Sequence, residues 1–224
     1  MKIRVIRRIV TAIIIVGICF WGISQKQTYT NLLSEPNALN KFQVAEFPES
    51  LMQSASDQFL HILPQSSIII RAIAVGEKDY LFHTNQQTVF VQQVYQGEGI
   101  QSGEKIHVAL RTGFSFRDSF DGKLAELSFV NEMEEGKEYL IFLDKKIDVL
   151  RKNDQYDVYY VADSLIAPIF GYENRENVVV DVSGNISTYV PYSLVSGNEF
   201  FAATQSALDE FMNIKRQLLE RYPR

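Results

Sequence analysis

Cysteine is almost absent from the sequence. The one residue, Cys19, sits inside an apolar run near the start, so the rest of the chain can form no internal disulfide. A small secreted fold held by cystine bridges is excluded, and so is a sortase-type thiol nucleophile. With 224 residues, 46% of them hydrophobic, the chain can bury enough core to fold without bridges, as exported proteins of Gram-positive bacteria commonly do. Histidine is scarce as well. His61, His83 and His107 are the three in the chain, and none has a second ligand-type residue at metal spacing, so no metal site is expected. Basic charge is missing from most of the length: Lys2, Arg4, Arg7 and Arg8 precede every acid, which leaves 18 basic against 27 acidic residues and a net charge of −9 beyond them. That remainder would be repelled by phosphates, so no nucleic-acid partner is expected. Gly97-Glu98-Gly99 with Gly103 has the wrong spacing to the third glycine for a dinucleotide loop and is followed by a strand pattern where a helix is needed, so it reads as a turn and no cofactor is expected.

What the chain does have begins at its first residues. A basic stretch, 1–8, precedes residues 9–23, in which Thr11 alone is appreciably polar. The pattern predicts a membrane anchor over 1–24, a single transmembrane helix with Trp21 near the outer interface. The alternative is a cleaved signal peptide, because Gly22 and Ser24 are small residues placed before Gln25 as a peptidase requires. In either case the positive residues stay in the cytoplasm and everything after Ser24 is exported. A lipid on Cys19 is disfavoured by Ile18, since lipoprotein processing wants a small residue there.

Residues 25–50 are rich in Asn, Gln, Ser and Glu, carry Pro36 and Pro48, and read as an extracytoplasmic stalk. Over 49–63 the apolar residues Leu51, Met52, Ala55, Phe59, Ile62 and Leu63 fall at helical spacing and stop at Pro64. The period then becomes that of strands. Runs at 67–75, 88–95, 105–110, 139–143 and 156–161 are separated by turn residues, and 178–182 with 186–190 flank Ser183-Gly184-Asn185 as a hairpin. Tyr139, Ile141 and Leu143 fall on one face of their run with Leu140 and Phe142 on the other, which marks a central strand covered on both sides. A last amphipathic stripe over 204–221 predicts a C-terminal helix. The fold class expected is mainly β, a barrel domain over 51–224 with flanking helices.

Three of these segments carry a family resemblance. The runs 89–97 (VFVQQVYQG), 103–108 (GEKIHV) and 136–143 (GKEYLIFL) resemble the bacterial netrin-like family, relatives of the tissue inhibitors of metalloproteinases. The resemblance implies a five-stranded Greek-key OB barrel with packed helices over about 66–161, extending toward 190. Those inhibitors act through an N-terminal disulfide-bonded cysteine whose amine reaches the protease zinc. This chain has no such residue, so inhibition does not carry over.

Among the acidic residues, Asp118 and Asp121 lack the alternating ligands of a calcium loop, and Glu132, Glu134 and Glu135 read as a solvated acidic edge. The connection 111–131 is long for a compact domain and holds Phe114, Phe116, Phe120, Leu124, Leu127 and Phe129. Either it is a lid over one end of the barrel, or Phe114, Phe116 and Phe120 stay exposed as a docking patch for an envelope or secreted protein. The function expected is therefore a membrane-anchored, non-catalytic binding module. Its rivals are an envelope hydrolase using carboxylates with His83 or His107, and a structural subunit whose C-terminal helix would present an exposed apolar face.

Overall fold

An alternating apolar strand needs one covered face and a continuous apolar run needs two, and both patterns occur here. The computed structural model describes residues 2–26, 37–81, 84–110, 114–119, 122–147, 156–163, 166, 168–180 and 188–224. The chain divides into two units, Met1–Ala38 and Leu39–Arg224.

The first unit contains helix α1 (Lys2–Lys26). Val10, Ile13, Ile14, Ile15, Val16, Ile18, Phe20, Trp21 and Ile23 are each 49–72% exposed on it. Its mainly apolar stretch from Ile9 to Ile23 is shorter than the roughly 20 residues that a spanning helix requires. Among the described residues no helix is long and apolar enough to cross a membrane. The predicted transmembrane anchor therefore finds no support in the fold.

The second unit begins where a stalk was expected. Residues 27–36 lie outside the described residues, but Ala38–Lys41 form a 3-10 turn that leads into strand β1 (Phe42–Glu46). Phe42, Val44, Glu46 and Phe47 are all at most 5% exposed. The stalk reading is thus corrected from Ala38 onward: the alternation Phe42, Val44, Glu46 is a half-buried strand, which polar composition alone concealed. A short 3-10 turn then enters helix α2 (Met52–Ile62), and Leu63–Gln65 closes it as another 3-10 turn containing Pro64.

The barrel is built from β2 (Ile68–Leu81), β3 (Thr84–Gln96), β4 (Lys105–Ala109), β7 (Glu138–Ile147) and β8 (Val158–Val161). Their order is β2-β3-β4-β8-β7, and β7 pairs back onto β2 to close the ring. All neighbours are antiparallel except β4 and β8, which run parallel. A closed five-stranded barrel with this order is consistent with an OB-like barrel. A further strand, β9 (Ile169–Gly171), extends the sheet by pairing with β7 at Tyr139–Ile141.

Glycine shapes the barrel at two places. Gly76, with φ +80°, does not end its strand as expected, because β2 continues to Leu81 with a register shift between Ala74 and Lys78. It sits at a bulge, where positive φ lets one strand carry extra residues. Gly97, with φ +123°, turns the chain so close to β2 that a Cβ there would lie 2.8 Å from Ile68 Cγ1.

Most of the connection 111–131 is strand. It forms the hairpin β5 (Phe114–Ser119) and β6 (Gly122–Leu127), with Phe114 paired to Leu127 and Phe116 to Ala125. This hairpin joins β1 and β10 (Thr188–Pro191) in a second sheet of order β10-β1-β6-β5. The hairpin expected around Ser183-Gly184-Asn185 has its turn in residues 181–187, which lie outside the described residues; the end of its second strand is β10, which pairs with β1. After a short turn of helix, α3 (Tyr192–Val195), the chain ends in α4 (Gln205–Arg221). Thr204 caps α4 by accepting from the Ala207 amide at 3.2 Å. The α4 residues Ala207, Leu208, Phe211, Ile214 and Leu218 are buried, with Phe211 stacked on Phe200 at 5.0 Å and edge-on to Phe47 at 5.3 Å.

Candidate binding surface

Two of the three residues expected to dock a partner lie on strand β5. Phe114 and Phe116 belong to strand β5, and Phe120 lies outside the described residues. Among the described residues β5 is the outer strand of the second sheet, paired with β6 along one edge. The remaining apolar residues of the connection serve as core: Leu124 and Leu127 are buried, and Phe129 packs edge-on against Phe47 at 5.0 Å. Ser128 and Phe129 both take positive φ, 47° and 60°. That sparsely allowed geometry holds because the Phe129 carbonyl accepts from the Phe201 amide at 2.8 Å and the Asn131 amide donates to the Glu199 carbonyl at 2.8 Å. The hairpin's base is thereby tied to residues 199–201.

Beneath that base lies a polar network which sequence pattern did not expose. Asn131 donates through Nδ2 to the Ser196 and Asn198 carbonyls at 2.9 and 2.8 Å, and its Oδ1 accepts from the Glu132 amide and the Tyr192 hydroxyl at 2.9 and 3.0 Å. The Asn198 side chain pairs with the Val178 backbone as a strand would, accepting at 2.9 Å and donating at 2.7 Å. Asn177 Oδ1 accepts from the Glu199 and Phe200 amides at 2.8 and 3.2 Å. Three asparagines thus replace ladder bonds where the chain is irregular, as buried backbone groups require. Their abundance in 174–198 could have flagged the segment, but not its geometry.

Two ion pairs extend the network. Lys215 on α4 is 1% exposed; its Nζ lies 2.5 Å from Glu199 Oε2 and donates to the Glu173 carbonyl at 2.9 Å. Glu199 also accepts from the Gly171 amide at 2.8 Å. Burial raises the Glu199 carboxyl pKa, against the pull of the Lys215 ammonium. Arg175 donates to the Tyr139 hydroxyl at 2.8 Å and pairs with Glu134 at 3.2 Å. The Tyr139 hydroxyl is raised by burial, and the Tyr192 hydroxyl is pushed up to about 12 for the same reason. Nearer the surface, Lys137 lies 2.7 Å from Glu173, which raises the lysine and lowers the glutamate. Chemically these groups satisfy one another, as buried polar groups must.

Concave space lies beside this network. A cleft of about 650 Å³ runs along α4, lined by Tyr172, Asn174, Met212, Asn213 and Lys215 among others. A smaller one of about 120 Å³ is lined by Lys137, Tyr139, Glu173 and Arg175.

The other singled-out residues are scattered. His61 is exposed on α2, and His83 lies outside the described residues. His107 on β4 has Nδ1 3.0 Å from Thr88 Oγ1 and its ring edge-on to Tyr156 at 5.4 Å. Asp118 belongs to β5, and Asp121 lies outside the described residues. Among the described residues no group of three acids, histidines or cysteines is placed to hold a metal. Glu132 departs from the solvated edge expected of it: it is 8% exposed and meets Lys78 Nζ at 2.7 Å and Asn85 Nδ2 at 3.3 Å. Glu134 keeps half its side-chain surface exposed, and Glu135 accepts from the Gly76 amide at 3.2 Å. Set against models of known protein families and against curated proteins, the chain matches none of them.

Proposed function

We propose that the chain is a membrane-tethered, non-catalytic recognition module whose barrel domain faces outward. In this reading Phe114 and Phe116 on β5, together with Phe120 that follows them in sequence, take up a segment of an envelope or secreted protein. The observation that carries it is the position of β5. An outer strand keeps one edge of backbone N–H and C=O groups available, and a partner strand can add there with side chains supplying specificity. The hairpin's base is rigid because the Phe129 and Asn131 backbones are tied to residues 199–201.

Tethering rests on α1. Its apolar side chains are exposed around the helix, so a lipid phase is the covering that suits them. Four basic residues precede them, and Arg7 and Arg8 snorkelling at the inner interface would lengthen the inserted segment. The netrin-like kinship belongs to the same proposal, since a closed five-stranded barrel is the fold that resemblance implies.

The test has two arms. Protease added to intact cells should degrade the domain beyond Ser24 and leave a short membrane-bound remnant. A soluble chain beginning at Gln25 would replace the tether with a cleaved signal, and full protection would end the export claim. In the second arm, the Phe114→Ser/Phe116→Ser variant should stay folded and lose a partner that the unaltered chain captures by cross-linking on cells.

A further inference from the structure

Three acidic side chains are buried in the second unit among the described residues: Glu46, Glu132 and Glu199. Two of them are answered, Glu132 by Lys78 and Asn85, and Glu199 by Lys215 and the Gly171 amide. Glu46 is not. It is 1% exposed, and neither carboxylate oxygen has a hydrogen-bond partner. A charged carboxylate held that way pays its full desolvation, which no protein tolerates without relief; losing the charge is the simplest relief.

The surroundings explain why no partner reaches it. Glu46 ends β1, an interior strand, and is paired with Thr188 on the outer strand β10. By strand alternation it shares the face of Phe42 and Val44. On β6 the ionisable positions are Lys123 and Glu126; Lys123 is paired with Phe42, its Nζ 6.0 Å from that ring. Asp118 and Arg117 on β5 pair with Lys123 and Leu124, farther out. β10 contributes Tyr189, paired with Ala45, and α3 contributes Tyr192, whose hydroxyl donates to Asn131. The chain that follows Glu46 is pinned at Phe47 by backbone bonds to Phe201 and Ala203, where no ionisable side chain stands.

We infer that Glu46 makes the second sheet proton-gated: β1 stays seated against β10 while the carboxyl holds its proton, and the β1–β10 pairing opens when the proton leaves for water. β10 is the strand that yields, because it is four residues long and has β1 as its sheet neighbour, whereas β6 is held on both edges. Burial raises the Glu46 pKa from 4.5 to about 7, and the nearby Val180 backbone draws it down without reaching bonding geometry. The direction follows from linkage. The stabilising contribution of the neutral form is complete below about pH 4.5, is lost as pH climbs through about 7, and changes no further above that. The inference does not depend on what the module binds.

The test uses the full chain in a mild detergent. The Glu46 carboxyl carbon, followed by NMR, should titrate with a midpoint near 7. Between pH 6 and pH 8, after correction for intrinsic chemistry, amide exchange in β1 and β10 should accelerate by about tenfold, while β7 amides keep their protection. Glu46→Gln should abolish that acceleration. A midpoint in the ordinary glutamate range overturns the inference, and so does an acceleration that persists in Glu46→Gln. Both wild-type readouts stand if the glutamine variant fails to fold. Glu46→Met, which needs no donor, then replaces it, and an undiminished acceleration in Glu46→Met has the same overturning force.

Discussion

Strands β7 and β1 are both interior strands, and they are specified in opposite ways. β7 buries Tyr139, Leu140, Ile141, Phe142 and Leu143 in succession, each at most 4% exposed. One set fills the barrel and the other lies under its coverings, so a continuous apolar run marks the strand. β1 alternates, Phe42, Val44 and Glu46 in and Gln43 and Ala45 half-exposed, and one of its three inward positions is a carboxyl. A barrel strand with several neighbours gains from every apolar residue. A strand in a four-stranded side sheet can hold a polar group inside, provided its charge is controlled.

The largest effect expected sharpens the barrel side of this contrast. Phe142 is fully buried between Phe170 and Tyr222, with ring centroids at 6.1 and 5.8 Å. Phe142→Ala should lower unfolding free energy by about 3–5 kcal/mol, read from denaturant midpoints, because the ring's contacts vanish and the barrel wall cannot collapse into the gap. A loss near 1 kcal/mol would show that β7 is less central than its burial indicates.

Next comes the buried pair that joins α4 to the segment beside β9. Lys215→Met keeps the volume but leaves Glu199, 3% exposed, with the Gly171 amide as its remaining donor. Stability should fall by about 3 kcal/mol at pH 7, since the uncompensated charge remains buried. The deficit should shrink toward acid pH as Glu199, already raised by burial, takes a proton. A pH-independent deficit would mean that the lysine stem, and not the charge, was holding the helix.

The barrel strands were legible because their burial is written as runs. The stretches 88–95, 105–110 and 139–143 carry β-branched and aromatic residues between glycines, and the observed strands overlap all of them. β1 was not legible, because five residues that alternate inside an Asn- and Gln-rich stretch give too little signal against composition. β5 and β6 were hidden differently: they pair with each other as a hairpin, but the hairpin's place in a sheet is settled by β1, more than seventy residues earlier in the chain, and no local rule reports a partner so distant. The polar network was the least readable part. Lys215 sits where helical periodicity allows either face, and Asn198 earns its place through backbone groups whose irregularity is a tertiary fact.

A smaller effect breaks or keeps the contrast from the side-sheet end. Wild-type stability should decline between pH 4.5 and about 7 while Glu46→Gln declines less, so the stability of the variant relative to wild type should rise by at most about 3 kcal/mol over that window. Local opening of β10 relieves part of it, and the glutamine amide remains without a partner. Parallel melting curves at pH 5 and pH 8 measure the difference. A relative stability of the variant that falls with rising pH would mean that the folded protein holds Glu46 charged, and the side sheet would then need a cation to face it.

The smallest effect on stability should come from the strand that matters most to the proposed function. Among the described residues β5 has one neighbour in its sheet, so a substitution there disturbs fewer partners than one in β7. If Phe114 and Phe116 are docking residues, Phe114→Ser/Phe116→Ser should cost no more than about half a kcal/mol each, with capture of the cross-linked partner lost. Both residues pair with buried positions of β6, Leu127 and Ala125, which makes the measurement discriminating. Should the double variant unfold as readily as Phe142→Ala, the hairpin is closing over the core and recognition by these rings is refuted. Should it stay folded and still hold its partner, the edge of β5 or the cleft along α4 carries recognition instead. A proline placed along β5, which removes one backbone donor without touching either ring, then separates the two: an edge-bound partner is released and a cleft-bound one stays.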